Sequence, residues 1–255
     1  MLAATADALW NAARDRAPIR PPTESLPGLR VADAYAIQQI NLRRRLAAGA
    51  VLVGRKIGLT SRPMQELLGV DEPDFGFILD DMVIAGGSVD ASRFCSPRVE
   101  PEIAFLLRDP LRGPGVTVAD VYAATQSVAA ALEIVDSRIA DWQLTLADTV
   151  ADNASSGAVV IGEWLPCTGD LCLPQVVASL VLNGTEVGRG TGEAVMGDPA
   201  AAVAWLANAL AEFDTELSAG QFVMSGSFTT ASFVARGDVA TADIDTLGTV
   251  SLAFT

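Results

Sequence analysis

The sequence predicts an α+β fold, with a small helical or mixed N-terminal region and a C-terminal mixed β-sheet core. Three observations carry that expectation. Helix-period patterns concentrate before residue 50. From residue 83 onward, short apolar runs are separated by Gly, Asp, Asn and Pro, and only two further helical patterns interrupt them. At 255 residues, half of them apolar, the chain is long enough to bury a full hydrophobic core.

Ala3 to Arg16 reads as a first helix, and Pro18, Pro21, Pro22 and Pro27 then impose an extended connection. Asp33 to Ala48 predicts a second helix. Ala36, Ile37, Ile40 and Leu46 lie along one side of it, Arg43, Arg44 and Arg45 sit where the helix dipole favours cations, and Gly49 closes it. Val51 to Leu59 predicts a strand, Pro63 to Leu68 a short helix, and Asp71 to Gly76 a turn-rich loop. A boundary near residue 80 separates an N-terminal region, 1–80, from a β-rich region, 81–255. In the latter, Val99 to Leu107, Val128 to Val135, Ala158 to Ile161, Ser179 to Leu182, Gln221 to Ser225 and Thr249 to Phe254 read as strands. Val118 to Thr125, with Thr117 and Asp120 spaced as a capping box, and Pro199 to Phe213 read as helices.

Composition excludes several functions. With 17 basic and 31 acidic residues the formal net charge is −14, which argues against nucleic acid or an anionic membrane surface as partner. The N-terminus lacks the basic segment of a signal peptide, and the most apolar stretch, Ala200 to Ala211, is shorter than the roughly 20 residues that span a bilayer. A cytoplasmic protein is expected. Cys95, Cys167 and Cys172 are odd in number and lack CxxC spacing, so they read as reduced thiols. There is no histidine. Serine–histidine and cysteine–histidine catalysis, histidine-bound zinc and imidazole acid–base chemistry are therefore ruled out.

In Val99 to Leu107, alternation places Val99, Pro101, Ile103, Phe105 and Leu107 on one strand face and Glu100 and Glu102 side by side on the other. Pro101 predicts a strand start or an edge. In Val128 to Val135, Glu133 is a lone carboxylate within an apolar run. Buried carboxylates need protons, partners or a cation, and three hard oxygen donors suit Mg²⁺ or Mn²⁺. Solvated glutamates at strand ends account equally for the pattern. Lys56 lies between Gly54 and Gly58, where the backbone can approach a ligand closely; a surface lysine on an edge strand is the other reading. Asp74 is a candidate base or a turn cap, and the segments containing Ser155 and Ser227 could donate hydrogen bonds to an anionic ligand. Gly188, Gly190 and Gly192 form a GxGxG pattern without the strand and acidic residue that a nucleotide site needs.

Taken in order, these segments resemble the 2-keto-4-pentenoate hydratase and 4-oxalocrotonate decarboxylase family, within the fumarylacetoacetate-hydrolase-like superfamily. The stretches that carry the resemblance are Gly54 to Thr60, Gly69 to Gly76, Glu100-Pro101-Glu102, Leu132 to Arg138 and Ala151 to Gly157. The resemblance implies a metal, Mg²⁺ or Mn²⁺, held by Glu100, Glu102 and Glu133. It places Lys56 and Asp74 at the substrate, with Ser155 and Ser227 as hydrogen-bond donors to it, in a homo-oligomer. It implies hydration of a small 2-hydroxy-2,4-dienoic acid from aromatic meta-cleavage catabolism, with 4-oxalocrotonate decarboxylation as the rival. A non-catalytic β protein stabilised by a cation is the alternative from another class. The missing histidine disfavours the superfamily's C–C bond hydrolysis. Asp198 stands where many relatives have histidine, and Phe228 to Ala231 departs from the usual tail, near the expected far end of the substrate.

Overall fold

The computed structural model describes residues 1–169 and 171–255. In chain order its helices are α1 (Leu2–Asp15), α2 (Pro22–Ser25), α3 (Val31–Ala47), α4 (Arg62–Leu68), α5 (Val118–Ala124), α6 (Leu146–Ala151) and α7 (Pro199–Leu210). The first seven strands are β1 (Leu52–Gly58), β2 (Asp74–Leu79), β3 (Ser88–Val89), β4 (Pro97–Leu107), β5 (Thr125–Asp136), β6 (Ser156–Ile161) and β7 (Leu165–Pro166). The remainder are β8 (Val177–Leu182), β9 (Thr185–Thr191), β10 (Phe222–Met224), β11 (Ser232–Phe233), β12 (Val239–Ile244) and β13 (Gly248–Phe254).

Among the described residues the strands form two sheets. The larger follows the order β2-β1-β10-β4-β5-β6, with β11 paired to β4 and β7 to β5. The smaller follows β3-β13-β12-β8-β9. The larger sheet curls toward closure: Val83, just past β2, bridges Val159 of β6, and the Ile84 N–H donates to the Val159 carbonyl at 2.9 Å. The concave side holds a small apolar cluster of Ile78, Ala104, Ala131, Val159, Phe222 and Met224. The convex side carries the main core, where Val99, Ile103, Phe105, Leu132 and Ile134 pack with Ala240, Ala242, Val250, Leu252 and Phe254 of the second sheet. The strands β4 and β5 thus present one apolar set to each layer, as alternation requires.

Two expectations change. Strands on both sides of residue 80 share the larger sheet, because β1 pairs in parallel with β10 and antiparallel with β2. The segment that precedes both sheets is residues 1–51. Asp74 opens β2 instead of lying in a loop, because the apolar run Phe75 to Leu79 continues directly from it and pairs with β1. The expected capping box of α5 is present, with Thr117 and Asp120 bonding reciprocally. One stretch, Gly192–Phe213, is long and apolar enough to cross a membrane by composition. It contains α7, whose Ala200, Ala202, Val203, Leu206 and Ala207 are fully buried in the core.

Residues 1–51 clamp β2 from the convex side. Gln38 of α3, buried, donates to the carbonyls of Phe75 (2.9 Å) and Val150 (3.2 Å), and Tyr35 stacks on Phe75 at 4.3 Å. From the neighbouring loop, Asn153 grips Phe77 at two points, accepting from its N–H at 2.8 Å and donating to its carbonyl at 3.0 Å. Asn153, Ala154 and Ser155 all have positive φ (57°, 50° and 53°), a strained run that these contacts hold in place. Asn153→Ala removes both bonds, leaves a backbone donor unmatched and loses the side chain best suited to that φ. It is expected to lower the unfolding free energy by about 2 kcal/mol, read as a shift in urea midpoint at constant slope.

Candidate metal and substrate site

The site is set by the register of β4 on β5. Glu100 lies directly opposite Glu133, and Glu102 is opposite Ala131, so all three glutamates share the concave face. One carboxylate oxygen from each lies within 4.8 Å of the others. Glu102 and Glu133 are buried and Glu100 is half-buried. Pro101 stands mid-strand, not at a strand start. On its side β11 pairs with Arg98 and Val99 and β10 begins at Ala104, so no ladder asks for an N–H there. Its carbonyl accepts from the Phe228 N–H.

The partners available do not satisfy this much charge. Glu102 Oε2 accepts from the Gly226 N–H at 2.9 Å, and Lys56 Nζ lies 3.5 Å from Glu133 Oε1. Glu102 Oε1 and both oxygens of Glu133 are buried without a hydrogen-bond partner. Burial, reinforced by mutual repulsion, pushes Glu100 up to about 7 and Glu102 well above the carboxylate range. Glu133 is also raised, chiefly by burial, against the pull of Lys56. Converging oxygen donors with orphaned lone pairs and no nitrogen or sulfur suit a hard divalent cation, and these residues fit one.

Lys56 and Asp74 complete the cluster. In β1, Lys56 shares the concave face with Gly54 and Gly58, and Gly58 is paired with Asp74. A Cβ on Gly58 would fall 2.2 Å from Asp74 Oδ1 and 3.1 Å from Lys56 Nζ, so glycine there lets the two charged groups meet. Burial opposes charge on Lys56, but Glu133, Asp74, Glu100 and Glu102 together outweigh it and hold the ammonium charged. Asp74, also buried, is raised by burial and restrained by Lys56, the Thr149 hydroxyl and the Gly58 amide.

The two serines are placed differently. Ser155 is buried with its Oγ 3.3 Å from Thr149 Oγ1, so its link to Asp74 runs through Thr149. Ser227 is held by its own turn, donating to the Thr229 carbonyl at 2.7 Å and accepting from the Thr229 N–H. The same turn brings the Gly226 N–H to Glu102. Gly226 has φ +105°, and a Cβ on it would lie 2.3 Å from Thr60 Oγ1. Thr60 and Thr149 were not singled out from the sequence, and Gly226 was named only within Ser225-Gly226-Ser227 as a segment of candidate backbone donors. Thr60 lay inside the Lys56 segment, but Thr149 is recognised only through contacts distant in sequence. Asp198 caps α7, accepting from the Ala200 N–H at 2.8 Å, and accepts from Tyr122 Oη at 3.1 Å. Two cavities, of about 450 and 620 Å³, lie beside α1 and α3 and against Trp164, and the glutamates line neither.

Burial raises all three glutamates above the ordinary value of 4.5, Glu100 to about 7. The metal-free folded chain therefore holds more protons than the unfolded chain through that interval. Its stability is expected to fall as pH rises from about 4.5 to 7, because charging the cluster is harder when folded. Saturating Mg²⁺ would oppose the loss, so the gain in Tm on adding Mg²⁺ should grow between about pH 5 and 8 in differential scanning calorimetry.

Known proteins resemble this chain over nearly its whole length. Residues 53–254 match the family model for the fumarylacetoacetate (FAA) hydrolase C-terminal region. A 2-hydroxyhexa-2,4-dienoate hydratase of Comamonas testosteroni is 45% identical over 250 residues, covering 97% of this chain and 95% of that one. A 2-oxo-hept-4-ene-1,7-dioate hydratase of Escherichia coli is 39% identical, covering 98% and 96%. The structure of 4-oxalocrotonate decarboxylase from Pseudomonas putida, complexed with magnesium and adipate, superposes with a TM-score of 0.96 at 37% identity, covering 100% and 97%. This chain belongs to the fumarylacetoacetate hydrolase family, among its dienoate hydratases and their decarboxylase relatives.

Proposed function

We propose that this chain is a divalent-metal-dependent hydratase that adds water to a 2-hydroxy-2,4-dienoate and releases a 4-hydroxy-2-oxo acid in aromatic catabolism. One observation carries the reading: three glutamate side chains from adjacent strands converge within 4.8 Å beside a buried lysine and a buried aspartate. Two relatives above act on a six-carbon monoacid and a seven-carbon diacid of this type, as their names state. The absence of histidine argues against the family's hydrolytic chemistry.

Glu100, Glu102 and Glu133 would hold Mg²⁺ or Mn²⁺ through oxygen alone. Such a cation supplies Lewis-acid polarisation of the substrate's carboxylate and 2-oxygen. Lys56, kept cationic by its carboxylate neighbours, holds the substrate carboxylate next to Asp74. Asp74, whose burial raises its proton affinity, takes the 2-hydroxyl proton and returns a proton at C5, giving a conjugated 2-oxo-3-enoate. It then takes a proton from the water whose oxygen bonds to C4 and passes that proton to C3, which regenerates the Asp74 carboxylate. Ser155 tunes Asp74 through Thr149. Ser227 shapes the turn that aims the Gly226 N–H at Glu102. Cytoplasmic location and assembly as a homo-oligomer belong to the same reading.

Purified protein with Mg²⁺ is expected to bleach the ultraviolet chromophore of 2-hydroxypenta-2,4-dienoate and to stop when a chelator is added. Mass spectrometry should find a product heavier by one water; loss of carbon dioxide from 4-oxalocrotonate instead would make the chain a decarboxylase, as its 37%-identical relative is named. Lys56→Met should reduce kcat by about 10²- to 10⁴-fold, the usual range for a positioned proton-transfer or orienting group. Glu102→Gln should weaken Mg²⁺ binding at least about tenfold in calorimetry and abolish turnover. Weakened binding with no turnover in the parent protein would instead leave a structural cation site.

A further inference from the structure

Arg98 is the next residue outward from Glu100 on the concave face. The β4–β5 register is unbroken between them, with Arg98 opposite Val135 and Glu100 opposite Glu133. Its guanidinium is stacked on both faces, 4.2 Å from the Trp142 ring centroid and 4.0 Å from that of Phe233. Phe233 stands directly across from it on β11. Trp142 is fixed by its indole N–H, which donates to the carbonyl and hydroxyl of Ser96, both at 3.2 Å. Among the described residues no carboxylate lies at ion-pair distance from Arg98, although the charge of Glu100 acts on it, and its Nε is buried without a partner in a chain with an excess of 14 negative charges. A guanidinium covered on both faces presents only its edge, where in-plane N–H groups match a carboxylate.

The opposite direction is closed. Inward from the glutamates the concave face is filled by Ala104, Ala131 and Met224, none of them exposed. A substrate gripped at its C1 end by the glutamate cluster therefore extends its tail outward, toward Arg98. The two-residue step from Glu100 to Arg98, about 6.7 Å along a strand, is comparable with the C2-to-C7 span of an extended seven-carbon dienoate.

We propose that Arg98, clamped between Trp142 and Phe233, is a specificity-determining subsite for a second carboxylate at the far end of the substrate. The chain then favours 2-hydroxy-2,4-dienoates that end in a carboxylate over those of equal length that end in a methyl group. This rests on the reading of the glutamate cluster as the centre that binds the C1 end.

The decisive pair is 2-hydroxyhepta-2,4-diene-1,7-dioate and 2-hydroxyhepta-2,4-dienoate, assayed on the Mg²⁺-loaded protein and on Arg98→Met. The wild-type ratio of kcat/KM, diacid over monoacid, should exceed about 10 and should fall about 10- to 100-fold in the variant, mainly through KM, as expected for a lost charged hydrogen bond. Equal losses for both acids, or a wild-type preference for the monoacid, overturn the subsite. Binding is read separately from turnover by titrating adipate, with hexanoate as control, against tryptophan emission in wild type, Arg98→Met and Trp142→Phe. An adipate-specific change that both variants lack supports the subsite even if neither dienoate is hydrated, the result that would sink the hydratase reading alone. Mg²⁺ calorimetry on Arg98→Met should give wild-type affinity; a matching loss of metal would show that Arg98 serves Glu100 rather than the substrate.

Discussion

Everything at this site depends on the pairing of Glu100 with Glu133 across two interior strands. Like charges placed opposite each other in a sheet are unfavourable, and burial makes them more so. The pairing persists because the other face of the same strands fixes the register. Val99, Ile103 and Phe105 of β4 and Leu132 and Ile134 of β5 are fully buried against the second sheet. A slip of one residue would bury the glutamates among them and turn those side chains into the concave face. The main core therefore forces together three carboxylates that would otherwise separate, and Lys56 and the Gly226 N–H offset only part of the repulsion.

Alternation along Val99 to Leu107 and Val128 to Val135 is local information, and it identified which face each glutamate takes. Their convergence depends on how β4 aligns with β5, about 30 residues away in sequence, and only the resemblance to known proteins supplied that. Asp74 illustrates the limit from the other side. Asp71, Pro73, Asp74 and Gly76 are all turn formers, so local chemistry hid a strand whose start is fixed by pairing with Gly58. Gln38 and Thr149 left no sequence signal, and Asn153 lay in a recognised segment without its grip on Phe77 being legible. A polar side chain that satisfies a distant backbone group, as Gln38 does at Phe75, looks in sequence like any solvated residue of a helix.

Precision at Asp74 comes from the residues that follow it in the strand it opens. Gln38 and Tyr35 hold Phe75, and Asn153 holds Phe77, so β2 is fastened at alternate residues immediately beyond the carboxylate. The left-handed run Asn153 to Ser155 is strained, and the grip on Phe77 is what keeps Ser155 against Thr149 and Thr149 beside Asp74. The mouth is built differently. There Phe233 is 59% exposed, and Arg98 is held by stacking without an ion pair. A rigid inner end would suit the proposed proton transfer, which tolerates little error in distance, and the stacked outer end would suit the proposed recognition of a second carboxylate.

A second buried acidic group, at the end of β5 and in the loop before β6, is satisfied within the chain where the glutamates are not. Asp152 is buried too, and burial pushes it up to about 6, but Arg138 bonds it through Nε at 2.6 Å and through its backbone N–H at 2.9 Å. Asp136, nearby, accepts from the amides of Cys95 and Ser96. Every charge in that group has a partner within the chain, so its work is finished on folding: it ties the end of β5 to the loop before β6. The glutamate cluster differs in this respect alone. Glu102 and Glu133 are as fully buried as Asp152, yet they retain oxygens that nothing among the described residues satisfies. A fold that neutralises a buried aspartate at the end of the same strand, and leaves Glu102 and Glu133 short of partners, fits the proposal that a cation and an anionic substrate complete the cluster.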